Sequence, residues 1–296
     1  MQVAVTLVSP DVLSLDALAP EVSAAASSVA GPPKAATTLA PTALDMIFEA
    51  EAIEPVRRAV KDAAGERRVD FCVQPAAGRR KRLLIADMDS TIIGCECLDE
   101  LADFAGVKAE VSAITERAMR GEIGFEGALR ERVAMLKGLP LTALEQCYRE
   151  RVRLNPGART LVTTMAARGA RCVLVSGGFG FFTARVAAAA GFHAERANRL
   201  IEAAATLTGE VGDPILGREA KLAALNEEVA GLGIDPAAVL AVGDGANDLA
   251  MIEAAGLGVA YRAKPVVAAQ ADARIDYTDL TALLYFQGYS ADEFSA

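Results

Sequence analysis

The chain has 296 residues, of which 52% are hydrophobic and 23% are charged, and its formal net charge is -9. This composition is typical of a soluble globular protein with about two domains and excludes a disordered chain. The negative charge argues against nucleic acid as a partner, because binding there requires clustered Lys and Arg to neutralise phosphates.

The N-terminal part of the sequence shows no signal for export or membrane insertion. Lys34 is the first basic residue, so the basic region that opens a secretory signal is missing. The longest apolar stretch, residues 22–44, is interrupted by prolines and by Lys34, and we expect a loop or weak helix there, with no membrane span. The five cysteines lack metal-binding spacing and their odd number argues against a disulfide framework, so we predict a cytoplasmic protein.

Residues 1–78 are predicted to form a separate α+β module. A strand-like run at 3–8 is followed by an Ala-rich helical stretch, an alternating run at 44–52, a helix at 54–65 and a strand at 68–73. This βαβαβ order favours a small α+β sandwich, and it carries none of the polar motifs described below.

A connector is predicted at residues 75–81. Turn-forming residues are followed there by the basic cluster Arg79-Arg80-Lys81. We interpret this cluster as a solvated link to a second module, which we assign to residues 79–296.

The second module is predicted to be an α/β domain with a parallel sheet. Its apolar runs at 83–86, 172–175 and 239–242 are short and continuous, as in strands that are buried on both faces. Roughly eighty residues of helical pattern separate the first two runs, which is too long for an ordinary crossover. We therefore expect a helical cap over the carboxyl edge of the sheet, at about residues 94–165.

Two carboxylates follow the first strand directly. Asp87 is the candidate nucleophile, which would form an aspartyl-phosphate, and Asp89 is the candidate general acid and base. An Asp-x-Asp pair also occurs in surface turns and calcium loops. Its position behind a buried strand is what favours a role in phosphoryl transfer, because active sites of open parallel sheets form at the carboxyl ends of strands.

Anion-binding groups are predicted after the second strand and on a later helix. Ser176, Gly177 and Gly178 can present backbone N–H groups and a hydroxyl to a phosphate, although such a sequence is often only a turn. Lys221 is a candidate cation beside the nucleophile, whereas a lysine on a helix is ordinarily solvated.

Further acidic residues follow the third strand. Magnesium prefers oxygen ligands, so we predict a Mg²⁺ site with the carboxylates of Asp87 and Asp244 and the backbone carbonyl of Asp89. Asp248 is expected to orient the neighbouring residues of this site. Asn247 belongs to the same motif, residues 243–248.

In combination, these motifs resemble those of the haloacid dehalogenase superfamily and, within it, the phosphoserine phosphatase family. The resemblance covers about residues 82–286 and includes Thr91 in the first motif. It implies a Rossmann-like fold, an aspartyl-phosphate intermediate, Mg²⁺ and a four-helix cap inserted after the first strand. The activity implied is that of a Mg²⁺-dependent phosphomonoester hydrolase.

The resemblance also implies a substrate. Glu96 occupies the position that meets the substrate ammonium and Arg132 the position that binds its carboxylate, while Met119 and Phe125 match apolar residues that shield the site. A carboxylate can pair with the ammonium group, and a guanidinium with the carboxylate group, of a phosphoamino acid such as phosphoserine. The alternative is an exposed cap with ordinary ion pairs of little energetic value.

The N-terminal module resembles the ACT-like, ferredoxin-like regulatory domains of some bacterial members of the family. It shows no ligand motif, so amino-acid binding, a homodimer contact and simple scaffolding are all left open.

Three rival functions are also left open. The same chemistry could act on another phosphomonoester, such as phosphothreonine, phosphohomoserine or a sugar phosphate. The phosphoryl group could pass to an alcohol in a phosphotransferase. The chain could also be an amino-acid-sensing regulatory protein with a vestigial catalytic half, although every candidate catalytic position holds a competent residue type.

Overall fold

The computed structural model describes residues 1–119 and 122–295, with the backbone alone at Met119. The first four strands form an antiparallel sheet in the order β2-β3-β1-β4. They are β1 (Gln2–Val8), β2 (Ala35–Ala40), β3 (Ala43–Glu49) and β4 (Asp70–Pro75). The helices α1 (Val12–Ala30) and α2 (Ile53–Ala64) pack on one face of this sheet over a shared apolar core. The predicted α+β class and ferredoxin-like arrangement are confirmed.

The prediction of a loop or weak helix over residues 22–44 was wrong for the second part of this stretch. The first part of this stretch continues α1 to Ala30, and the second part forms the edge strand β2, so the module is βαββαβ. Four of the six residues of β2 are exposed, and they are small or polar. An edge strand with little to bury shows no apolar alternation, which is why the pattern did not reveal it.

A second sheet is parallel and has six strands among the described residues, in the order β12-β11-β10-β5-β6-β7, while two further strands form a hairpin. The strands of this part are β5 (Leu83–Ala86), β6 (Arg171–Phe179), β7 (Ala194–Asn198), β8 (Leu200–Ala203), β9 (Thr206–Val211), β10 (Val239–Gly243), β11 (Leu257–Tyr261) and β12 (Ala273–Ile275). Successive residues of β5 enter two different apolar clusters, one on each face of the sheet. Both faces are therefore covered, as the continuous apolar runs predict.

Helices pack against this sheet and fill the long insertion between β5 and β6. They are α3 (Cys97–Phe104), α4 (Lys108–Met119), α5 (Phe125–Ala134), α6 (Leu141–Arg151), α7 (Ala158–Ala167), α8 (Gly180–Ala190), α9 (Arg218–Leu232), α10 (Leu249–Ala254), α11 (Pro265–Ala268) and α12 (Ala282–Phe286). Helices α3 to α6 lie between β5 and β6, which is where a helical cap is expected. The exact domain limits, including a cap over 94–165, stay predictions. No helix in the described ranges combines the length and apolarity needed to cross a membrane.

The β8–β9 hairpin joins the cap and was not predicted. The amide of Leu207 donates to the carbonyl of Leu139 at 2.9 Å, and the amide of Gly138 donates to the carbonyl of Leu207 at 2.8 Å. The loop between α5 and α6 is thus bonded to a segment that comes much later in the chain.

The interpretation of residues 79–81 as a solvated connector was wrong for Arg79 and Lys81, and it holds for the exposed Arg80. The guanidinium of Arg79 donates two hydrogen bonds to Asp45, at 2.7 and 2.8 Å, and Asp45 is only 3% exposed. Lys81 is also buried, and its ammonium donates to the carbonyl of Ala237 at 2.8 Å. Within this cluster it is Arg79 that joins the two modules, because the buried carboxylate of Asp45 requires a partner.

Replacement of Arg79 by alanine is expected to lower the free energy of unfolding by about 1–3 kcal/mol, because the buried Asp45 loses its bidentate partner. Arg80→Ala is the matched control, since the neighbouring Arg80 is about half exposed and pairs with Glu293. An exposed pair is worth at most about 1 kcal/mol. Denaturant unfolding measures both variants, and equal losses would contradict this reading of the junction.

Candidate active site

The carboxyl ends of three adjacent strands bring the predicted motifs together. Asp87 follows β5, Asp244 follows β10, and the Ser176-Gly177-Gly178 motif lies in the last part of β6. The strand order places β5 between β10 and β6, so the motifs meet at one edge of the sheet. The backbone amide of Asp87 donates to the carbonyl of Val242 at 3.0 Å, which bonds the start of the turn after β5 to the neighbouring strand.

A tight turn after Asp87 places the second carboxylate. Ser90 has a φ of 56°, in the left-handed region, and the amide of Ile93 closes the turn on the carbonyl of Met88 at 3.0 Å. Asp89 then accepts a hydrogen bond from the amide of Cys97 at 3.2 Å. A Cβ on Gly178 would lie 3.0 Å from Asp89 Oδ2, so glycine permits this close approach.

Lys221 lies between two carboxylates on the first turn of α9. Its ammonium is 2.6 Å from Asp87 Oδ1 and 2.5 Å from Asp248 Oδ1, and the side chain is almost completely buried. Burial by itself would lower the pKa of Lys221, but the two carboxylates outweigh burial and raise it. Lys221 is therefore a permanent cation in contact with the candidate nucleophile, and the ordinary interpretation as a solvated lysine is wrong.

Asp248 organises the loop after β10. Its Oδ2 accepts hydrogen bonds from the amides of Asp244 at 3.2 Å and Gly245 at 3.0 Å. A Cβ on Gly243 would lie only 2.4 Å from the carboxyl carbon of Asp248, so this packing requires glycine. The carboxylate is buried and connects the loop to Lys221.

Three carboxylates form a cluster that could hold a metal ion. Asp87, Asp244 and Asp248 each place one oxygen within 4.8 Å of the other two. Burial and the nearby Asp248 raise the pKa of Asp87 well above its usual range and that of Asp244 to about 6. With Lys221 as their close cation, the three acids retain excess negative charge, and a hard cation with oxygen preference fits such a set. The carbonyl of Asp89 stays a predicted third ligand.

The carboxyl of Asp89 differs from an ordinary surface acid. Burial, followed by the negative charge of Glu96, raises the pKa of Asp89 to about 7. A carboxyl of this kind retains a proton in much of the population near neutral pH, as a general acid must.

The predicted substrate-recognition residues face the same region. Glu96 is exposed and accepts a hydrogen bond from the Ser90 hydroxyl at 2.7 Å. Arg132, on α5, donates two long hydrogen bonds, to the Ala128 carbonyl at 3.3 Å and the Thr115 hydroxyl at 3.4 Å. Burial lowers the pKa of Arg132, and the carboxylates of Asp99 and Glu96 oppose that effect. The two residues with opposite charge are thus within electrostatic reach of each other.

Phe125 places the cap against the core. A Cβ on Gly177 would lie 3.5 Å from the Phe125 ring, and a Cβ on Gly217 would lie 3.2 Å from it. Phe125 as a whole is 42% exposed and therefore lies at the rim of the site. The predicted partner of Phe125, Met119, has its side chain outside the described residues.

Other predicted residues complete the loops. The buried Thr91 donates from its hydroxyl to Asp244 Oδ1 at 3.5 Å. The hydroxyl of Ser176 accepts from the amide of Gly178 at 2.8 Å, so it shapes the glycine loop. The amide oxygen of Asn247 lies over Gly245, where a Cβ would be 2.2 Å away.

Asn198 is a residue of the site that was not predicted from the sequence. Asn198, at the end of β7, donates to the carbonyls of Gly177 at 2.8 Å and Leu216 at 3.1 Å and accepts from the amide of Leu216 at 2.7 Å. It therefore joins the glycine loop to the segment that leads into α9. A polar residue after an apolar run would have been the signal, but β7 is only partly buried and has no such run.

Comparisons with known proteins agree with this geometry. The family model for haloacid dehalogenase-like hydrolases matches residues 84–253. A phosphoserine phosphatase of Archaeoglobus fulgidus is 44% identical over 230 residues, which cover 77% of this chain and 67% of that protein. A phosphoserine phosphatase of a Polaromonas species is 49% identical over 208 residues, which cover 69% of this chain and 88% of that protein.

Solved structures are similar as well. A HAD family hydrolase from Salmonella enterica serovar Typhi has a TM-score of 0.85 at 30% identity, and the match covers 99% of each chain. A structure described as a phospho-aspartyl intermediate analogue of phosphoserine phosphatase has a TM-score of 0.65 at 38% identity. That match covers 70% of this chain and 99% of the other.

Proposed function

The chain belongs to the haloacid dehalogenase-like hydrolase family, and we propose that it hydrolyses O-phospho-L-serine to L-serine and phosphate. The observation that carries the proposal is the buried contact of Asp87 with Lys221 at the carboxyl edge of the sheet, beneath a cap that carries Arg132. The relatives named phosphoserine phosphatase support the substrate.

In the first step, one oxygen of Asp87 attacks the phosphorus of the substrate. Lys221 holds Oδ1 at 2.6 Å, so we assign the attack to Oδ2. A bond forms between this oxygen and phosphorus while the bond from phosphorus to the serine oxygen breaks. Asp89 donates its proton to the departing serine oxygen, which yields L-serine and an aspartyl-phosphate.

In the second step, water attacks the aspartyl-phosphate. Asp89, now ionised, accepts a proton from the water as the new oxygen–phosphorus bond forms. The bond from phosphorus to Asp87 breaks, which releases phosphate and restores both carboxyl groups. The raised pKa of Asp89 suits a group that must both give and take a proton near neutral pH.

We assign Mg²⁺ as the cation of the acidic cluster, held by Asp87, Asp244 and the carbonyl of Asp89. When bound, it would neutralise and orient the phosphate. The excess of carboxylates over ammonium groups supports a divalent cation, and the buried Asp248 keeps Asp244 in place through its amide.

We assign substrate recognition to Glu96 for the ammonium and Arg132 for the carboxylate of phosphoserine. The weak protein contacts of Arg132 leave its planar guanidinium suited to a bidentate carboxylate bond. Ser176, Gly177, Gly178 and Asn247 would contact the phosphate. Phe125 would shield the reaction from water, because its ring lies against the glycine loop.

This activity would catalyse the last step of L-serine biosynthesis. We place the protein in the cytoplasm, where its five free cysteines would stay reduced. A homodimer stays a prediction, which light scattering at several protein concentrations would check.

The proposal is tested by phosphate release from phosphoserine, phosphothreonine, a sugar phosphate and p-nitrophenyl phosphate, each with Mg²⁺ and with EDTA. We expect strong preference for phosphoserine and loss of activity in EDTA that excess Mg²⁺ restores. Metal-dependent turnover without that preference would support phosphatase activity but contradict the assignment of phosphoserine as the substrate. Transfer to an added alcohol in place of water would indicate a phosphotransferase.

A further inference from the structure

A buried carboxylate of the N-terminal module binds a loop of the phosphatase module. Asp70, on β4, is 1% exposed. It accepts hydrogen bonds from the amides of Asp276 at 2.8 Å, Tyr277 at 3.2 Å and Thr278 at 2.8 Å, and from the Thr278 hydroxyl at 2.6 Å. A buried carboxylate with this many donors fixes the backbone that supplies them. Asp70 therefore fixes the loop after β12.

The same loop continues to the base of the cap. A Cβ on Gly157 would lie 2.6 Å from the amide nitrogen of Thr281 and 2.8 Å from Asp279 Oδ1. The amide of Leu280 donates to the carbonyl of Pro156 at 3.2 Å. Gly157 has a φ of 79°, so both its conformation and its surroundings require glycine. The loop thus lies in direct contact with the chain that returns from the cap.

The chain segment that returns from the cap, residues 153–157, also binds the turn that follows Asp87. Asn155 donates from its side-chain amide to the carbonyl of Thr91 at 2.8 Å and from its backbone amide to the carbonyl of Ile92 at 2.8 Å. Next to it, Ile93 and Leu154 pair as an antiparallel bridge. The two chain segments that connect the cap to the core are therefore bonded to each other where Asn155 binds the turn.

These contacts form an unbroken series from the N-terminal module to the reaction centre. It begins at Asp70, passes through residues 276–281 and Gly157, and reaches Asn155 and Thr91. The hydroxyl of Thr91 then contacts Asp244 in the acidic cluster.

We propose that Asp70 is a positioning residue through which the N-terminal module holds the base of the cap and the end of the turn that follows Asp87 in their working geometry. This assigns the module a part in catalysis that needs no ligand of its own. The proposal rests on the proposed function only in the measurement of phosphoserine turnover, because hydrogen exchange is measured without substrate.

The test compares Asp70→Asn and the milder Thr278→Val with the control Asp45→Asn. Asp45 is equally buried in the same module, but it binds Arg79 and the Thr6 hydroxyl and makes none of the contacts in the series. Turnover of phosphoserine is measured well below the melting temperature of each variant. Hydrogen exchange is measured in peptides that contain residues 91–95, 153–158 and 279–282.

We expect Asp70→Asn to lower kcat/KM by roughly two- to thirty-fold, the range typical of residues that act through a contact network. Thr278→Val should have a smaller effect in the same direction. Both variants should accelerate exchange of the amides of Gly94, Asn155 and Leu280. Asp45→Asn should lower the melting temperature without changing turnover or exchange in these peptides.

The proposal is wrong if Asp70→Asn lowers only the melting temperature, or if Asp45→Asn changes turnover and exchange to the same extent. If Asp70→Asn does not fold, the same two criteria apply to Thr278→Val. An absence of phosphoserine turnover in the wild type would refute the proposed function. The exchange comparison would still decide the role of Asp70.

Discussion

Asp87→Asn is expected to abolish the turnover of phosphoserine. Asparagine keeps the shape of the side chain but cannot form the aspartyl-phosphate. Loss of a nucleophile costs up to about 10⁶-fold in other enzymes that use covalent catalysis, so we expect a loss on the order of 10⁴-fold or more. Steady-state phosphate release at saturating Mg²⁺ measures it.

The loss should occur without unfolding. Burial and the adjacent Asp248 raise the pKa of Asp87, which means that the ionised form is disfavoured in the folded protein without metal. A neutral asparagine removes this cost but also removes the ion pair with the buried Lys221, so we expect the melting temperature of the metal-free variant to stay close to that of the wild type. Asp103→Asn, an exposed aspartate on α3, is the control for a cap carboxylate outside the site. An Asp87→Asn variant as active as the wild type would favour the regulatory-protein alternative.

Arg132→Ala is expected to change substrate preference. Truncation of one member of a buried charged pair costs about 2–5 kcal/mol, which is roughly thirty- to several-thousand-fold in kcat/KM for phosphoserine. A p-nitrophenyl phosphate substrate has no carboxylate, so its turnover should fall far less. Arg132→Lys should recover only part of the loss, because an ammonium cannot form the bidentate bond of a guanidinium.

The matched control is Arg130→Ala, two residues away on the same helix. Arg130 is about half exposed, and its guanidinium is 2.5 Å from Asp213. An exposed pair of this kind contributes at most about 1 kcal/mol, so phosphoserine kinetics should be nearly unchanged. Equal losses on both substrates for Arg132→Ala would contradict the assignment of Arg132 to the substrate carboxylate and favour another phosphomonoester.

Local sequence was sufficient to predict three of the six described strands of the parallel sheet and the edge at which the candidate site lies. The apolar runs that contain Leu84, Val173 and Ala241 become buried strands, and a predicted site motif follows β5 and β10 and lies in the last part of β6. Parallel strands with their polar ends at one edge bring distant motifs together, so the meeting of Asp87 and Asp244 follows from the pattern. The length of the insertion likewise predicted the helical cap.

Features that depend on what a segment packs against could not be predicted in this way. The edge strand β2 and the β8–β9 hairpin have little apolar alternation, and only their partners hold them in place. The bidentate contact of Arg79 with Asp45 and the packing of Phe125 over Gly217 join residues that are far apart in the sequence.

The sequence alone therefore determined which polar residues the candidate site contains and their placement at the ends of strands, because the strands follow from local periodicity and the polar motifs come at their carboxyl ends. The tertiary structure alone decided that Lys221 is buried between Asp87 and Asp248, that Asn198 joins two loops of the site, and that Asp70 reaches the phosphatase module. The local sequence around a single polar residue does not indicate which residue it will contact in the folded protein. Its role is set by the desolvation cost that the folded surroundings impose and by the donor or charge that offsets that cost.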